Sequence, residues 1–187
     1  SAYQQVSADL KHDLAFKVPM VLYKTASEFQ QQNIEPGELP EGVLAFAEPY
    51  RDRMVLPIDE PSDALYRLVT HELTHIFQYE ILFQGRLGKA LTARPPHWFM
   101  EGMASYFADD EDARARAVMR DAVQADSVPS VAQDYGGYFS YRYGHMVFKF
   151  VESEWGLEGL RDFIYEIRNT MGGTVARAVD RAFSLEI

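Results

Sequence analysis

The chain has 187 residues, a formal net charge of -10, 47% hydrophobic and 13% aromatic residues, and no cysteine. A chain of this length suits one domain, or a main domain with a small lobe, and buries roughly 70% of its unfolded surface, which excludes disorder. The acidic balance argues against nucleic acid as a partner, and the missing cysteines exclude both disulfides and thiolate metal sites, so any metal must be held by His, Asp or Glu.

No run of about 18 apolar residues occurs, so no transmembrane helix is expected, and no signal peptide is visible. The chain starts at Ser1 and ends on Phe183-Ser184-Leu185-Glu186-Ile187 without a cap or a polar tail, from which we expect a longer natural polypeptide.

Val6, Leu10 and Leu14 give residues 1–17 a weak helical pattern. Residues 18–23 read as a strand and residues 27–32 as a helical turn with Ser27 as its cap. Pro36, Gly37, Pro40 and Gly42 mark a loop. Residues 43–47 and 53–58 read as two strands joined as a hairpin. Gly42 to Ala47 is either an edge that can pair with an extended peptide or an interior strand.

From Ser62 the period becomes helical. Leu65, Leu68, Val69, Leu73, Ile76 and Phe77 form an apolar stripe that runs to about Phe83, with acidic residues at its start. Gly85 and Gly88 mark a loop, and Pro95-Pro96 set up a helix from His97 to about Asp109. Residues 113–124 read as a charged helix, with Asp109 to Asp112 better suited to capping it than to binding calcium. Segments 140–154, 157–170 and 173–183 close the chain, separated by glycines. The expected class is α+β: a small antiparallel sheet followed by a mostly helical remainder. We read 1–187 as a single domain with lobes at about 1–83 and 93–187, on either side of a cleft.

His71-Glu72-Leu73-Thr74-His75 is an H-E-x-x-H sequence inside the long helix. Residues four apart share a helix face, so two imidazoles can reach one ion at about 2.0–2.1 Å. Glu72 is rotated from His71 by roughly 100°, which takes it off the ion but within reach of a water proton. The motif supplies two ligands and a general base. A polar His-Glu-His cluster in an apolar setting is costly unless a metal compensates it.

A catalytic zinc needs a third protein ligand and keeps one open position. Glu101 stands in an apolar helix between Trp98, Phe99, Met100 and Met103, beside Gly102, which leaves room for close packing. A solvated surface glutamate fits that setting poorly. His97, one turn earlier on the same face, is the rival ligand. Ser105, one turn later, is a candidate to orient a ligand.

H-E-x-x-H followed by W-x-x-E-G-x-A-x-Y resembles the gluzincin metallopeptidases, the thermolysin-like clan that includes the zinc aminopeptidases. The resemblance implies a zincin-like fold, one zinc per chain on His71, His75 and Glu101, and hydrolysis of a peptide or protein substrate. The interval from His75 to Glu101 is longer than in the best-known members, which implies an inserted loop at 83–92. Residues 16–77, with Tyr23, Phe29 and the strand near Arg53, also resemble peptidase-like domains of bacterial proteins that often carry a β-propeller afterwards. In the zinc aminopeptidases a tyrosine followed three residues later by glycine stabilises the oxyanion. That pattern maps onto Tyr141 and Gly144, with His145 as the alternative donor that other clan members use.

Two functional classes follow from these residues, an active zinc peptidase or a non-catalytic zinc domain that serves as an interaction module, and a zinc hydrolase acting on a non-peptide bond is a third option. Intact Glu72 favours the peptidase, because a binding module has no need of a base. No motif for anchoring a substrate amino terminus is visible, which points to endopeptidase action.

Overall fold

A computed structural model of the chain describes residues 1–31, 44–48, 51–83, 95–134, 136–170 and 175–186. In chain order the elements are α1 (Ala2–Leu10), β1 (Met20–Tyr23), α2 (Ala26–Gln30), β2 (Phe46–Glu48), β3 (Arg53–Pro57), α3 (Ser62–Phe83), α4 (His97–Phe107), α5 (Ala113–Gln124), α6 (Gly137–Asn169) and α7 (Val175–Phe183). The class is α+β, as expected. The chain forms two compact units, Ser1–Tyr79 and Glu80–Ile187, which divide within the last turns of α3. Among the described residues no helix is long and apolar enough to cross a membrane. The loop expected at 83–92 falls largely outside the described residues.

In the first unit, α1 begins with a capping box in which the Ser1 hydroxyl accepts from Gln4 N–H while the Gln4 side chain reaches back. It buries Ala2, Val6 and Leu10. Tyr3 and His12 pack on Phe77 of α3 at ring distances of 5.7 and 6.2 Å.

The sheet corrects one expectation. Its strand order is β1-β3-β2, with β2 antiparallel to β3 but β1 parallel to it, so the sheet is mixed. The residues between Tyr23 and Arg53 form a connection long enough to return the chain to the same end, which parallel pairing requires. β2 and β3 pair as a hairpin, with Phe46 opposite Val55 and Glu48 opposite Arg53. The Arg53 guanidinium holds the buried Glu48 carboxylate across the pair. Among the described residues β2 lies at a sheet edge. The cap of α2 also differs: Thr25, not Ser27, accepts from Glu28 N–H, because Thr25 is the residue with extended backbone. Asp59 bonds Ala26 N–H at the start of α2.

α3 is not simply striped. Leu65, Leu68 and Val69 are half-buried, yet every residue from Glu72 to Gln78 is buried. A helix stretch buried all round must satisfy its polar side chains internally. Thr70 donates to Tyr66 O and Thr74 to Thr70 O, each at 2.8 Å.

In the second unit, Trp98, Phe99, Phe148 and Phe163 are fully buried. Phe99 meets Phe148 and Phe163 at ring distances of 5.4 and 5.8 Å. Each such ring stabilises the fold by about 1.5–3 kcal/mol. α4 and α6 cross where both lack a side chain. A methyl on Gly102 would strike the Gly144 backbone, and one on Gly144 would strike the Trp98 carbonyl.

Gly156, at φ 65°, breaks the helical dihedrals inside α6, so the separation expected there exists as a kink. Trp155 and Phe163 then receive Phe183 of α7 at 4.1 and 5.7 Å. Asp112 caps α5 by accepting from Ala115 N–H, while Asp110 pairs with Arg142 and Glu111 with Lys149. Met103 and Met119 are core residues, and Met100 and Met146 are half-buried.

Candidate metal centre

His71 and His75 sit one turn apart in the middle of α3, with ring centroids 5.0 Å apart and planes at 79°. Glu72 is buried, at 5% exposure. The Nδ1 of His75 lies 2.7 Å from Gln78 Oε1. A carbonyl oxygen accepts but cannot donate, so the imidazole carries its proton on Nδ1. The lone pair of His75 is therefore on Nε2, the nitrogen left for a metal. Gln78 was not anticipated from the sequence, although its i+3 spacing from His75 was a sufficient signal. Ser105, expected as a ligand-orienting residue, is fully buried, and its hydroxyl has no hydrogen-bond partner among the described residues.

Glu101 is half-buried on α4, one turn after His97, whose Nε2 is 4.0 Å from its carboxylate. Among the described residues, His71, His75 and Glu101 form a group able to hold a metal ion, with one ligand atom of each within 4.8 Å of the others. His97 is not in this group. The donor set fits zinc: two imidazoles and a carboxylate are a known catalytic combination, and one of the imidazoles already has its tautomer fixed by a partner.

Tyr141 lies one turn inside α6 and half-buried, its ring edge-to-face with His97 at 6.0 Å. His145 is 2% exposed and packed near Tyr106, so the Tyr141 ring is the more exposed of the two. Tyr143 packs, as expected, and donates to Pro129 O.

Burial holds the His145 pKa below its ordinary value of 6.5, and the Glu111 carboxylate offsets this only in part. The unfolded chain therefore takes up this proton more readily than the fold does. The stability that neutral His145 contributes is complete above about pH 6.5 and is lost as pH falls through the lower folded value. We expect the denaturant midpoint to drop between about pH 6.5 and pH 5, and to drop less steeply in His145→Gln. Equal slopes in the two proteins would remove His145 as the cause.

No protein-family model matches the chain, and neither a curated protein nor a solved structure does.

Proposed function

We propose that this chain is a zinc-dependent peptidase of the zincin-like type. In this reading His71, His75 and Glu101 hold one zinc, Glu72 is the general base and Tyr141 stabilises the oxyanion. The observation that carries it is the three-ligand group, two of whose members flank a buried glutamate on one helix. When bound, the zinc would supply Lewis acidity, making water more acidic and the scissile carbonyl more electrophilic.

The chain's own groups do the rest. Glu72 takes a proton from the attacking water and returns it to the leaving nitrogen, which balances the hydrolysis of the amide. Gln78 keeps His75 in the ligating tautomer. The Tyr141 hydroxyl donates to the carbonyl oxygen as negative charge grows there, and this bond is stronger in the transition state than in the ground state.

The test is metal content joined to turnover. Purified protein should hold one zinc, cleave members of a broad peptide library, lose activity to a chelator and regain it with zinc. Full zinc occupancy with no cleavage of any library member would overturn the peptidase reading in favour of a non-catalytic zinc module. Tyr141→Phe removes one oxygen and should keep zinc unchanged while kcat falls by roughly 10²–10³-fold. A change in kcat within about threefold would take the oxyanion role from Tyr141.

A further inference from the structure

We propose that His97 is a positioning residue for this site, acting through Ser140 to hold the ligand helix α4 in register with α6. The proposal rests on the reading that Glu101 binds the metal and Tyr141 meets the reacting carbonyl.

His97 is the first residue of α4, and Ser140 sits beside Tyr141 on α6. Ser140 is fully buried and its hydroxyl donates to Gly137 O at 2.7 Å. A serine has a single hydrogen to give. The 2.8 Å contact between Ser140 Oγ and His97 Nδ1 must therefore use the imidazole N–H, which fixes both tautomer and ring plane. The opposite edge of the same ring faces Glu101, with Nε2 at 4.0 Å, and Tyr141 packs edge-to-face on it. His97 is also held by its main chain, whose N–H donates to Asp134 Oδ1 at 2.7 Å.

Neither helix start has a side-chain cap of its own, since Pro96 stands at the N-cap of α4 and Gly136 at that of α6. Both are instead fastened by these contacts. The glycine crossing at Gly102 and Gly144 sets how closely the helices approach. One crossing point still allows the helices to turn about it, and a second attachment near their starts removes that freedom. Glu101 lies between His97 and Gly102, and Tyr141 between Ser140 and Gly144. The metal ligand and the oxyanion donor are thus both bracketed by the two attachments, and rotation would displace both. Misplacement of a reacting group by about 1 Å can cost on the order of 10²-fold in rate.

Asparagine and glutamine separate the two ring nitrogens. The Asn amide nitrogen falls near Nδ1 and can still donate to Ser140, whereas the Gln amide reaches toward Nε2 and cannot. The experiment compares H97A, H97N, H97Q and S140A in the zinc-loaded and cobalt-substituted proteins. Read-outs are kcat and KM separately, the visible cobalt spectrum and the melting temperature. We expect H97A, H97Q and S140A to lower kcat by about 10–100-fold with KM within about threefold, and to alter the cobalt spectrum. H97N should restore most of what H97A loses, in both read-outs.

Rescue by H97Q instead of H97N would overturn the proposal, because the ring would then act through Nε2. A cobalt spectrum and kcat unmoved in H97A and S140A would overturn it as well. If the wild type binds cobalt but cleaves nothing, a spectrum that follows the Asn-rescue pattern supports the positioning of Glu101 while the peptidase reading fails. If the wild type binds no cobalt, the metal reading and this proposal fall together.

Discussion

Glu72→Gln is expected to keep its zinc and its fold and to lose about 10²–10⁴-fold in turnover. Glutamine matches glutamate in shape, so the buried site, 5% exposed in the parent, gains neither a cavity nor a clash. What changes is chemical. A neutral amide has no basicity near neutral pH and cannot take a proton from water. Because Glu72 is offset from the histidines around α3, its loss removes no ligand, and metal content should stay at the wild-type value. Glu72→Asp provides an internal control. It keeps the carboxylate but draws it back by one methylene, so its activity should lie between those of wild type and Glu72→Gln. Single-turnover cleavage together with metal analysis reads both quantities. Unchanged turnover in Glu72→Gln would rule out the proposed mechanism, whatever the metal content.

Local signals in the sequence translated well into structure. The H-E-x-x-H spacing, the acidic start of α3, the Pro-Pro entry to α4, the Asp112 cap and the glycine break at 156 are each set by neighbours within a few residues, and each appears where the chain chemistry places it. What the sequence concealed depended on distant partners. The direction of β1 is fixed by a connection of nearly thirty residues rather than by its own side chains. Thr25 outcompetes Ser27 as a cap through backbone conformation that composition alone does not reveal. Ser105 was the candidate to orient a ligand, and only the fold shows that Gln78 meets His75 instead, while the Ser105 hydroxyl is buried without a partner among the described residues. Ser140 carried no sequence signal, since its role arises from His97, 43 residues earlier. The glycine at 102 was readable as a close-packing position, but its counterpart Gly144 was legible only as part of a family-like motif.

His75→Ala should abolish stoichiometric zinc binding, and His71→Ala should do the same. Each substitution takes away one of three ligands and leaves a two-ligand site, short of the three that catalytic zinc sites use. The effect should exceed that of disturbing a neighbour. Gln78→Leu leaves all three ligands in place and removes only the acceptor that fixes the His75 tautomer, which should weaken zinc by about 10–100-fold. Glu101→Gln should fall with the histidine variants, because a neutral amide oxygen is a poor substitute for a carboxylate and the ion then loses its one anionic ligand. His97→Ala should retain one zinc per chain at saturating metal, since His97 lies outside the ligand group. The order of affinities thus separates three roles: direct ligands, the orienting amide and the helix strut. Competition with a chromophoric zinc chelator measures it across all five variants. Full occupancy in His75→Ala would refute the ligand assignment at its strongest point, and zinc lost from His97→Ala but kept by Glu101→Gln would transfer the third position to His97.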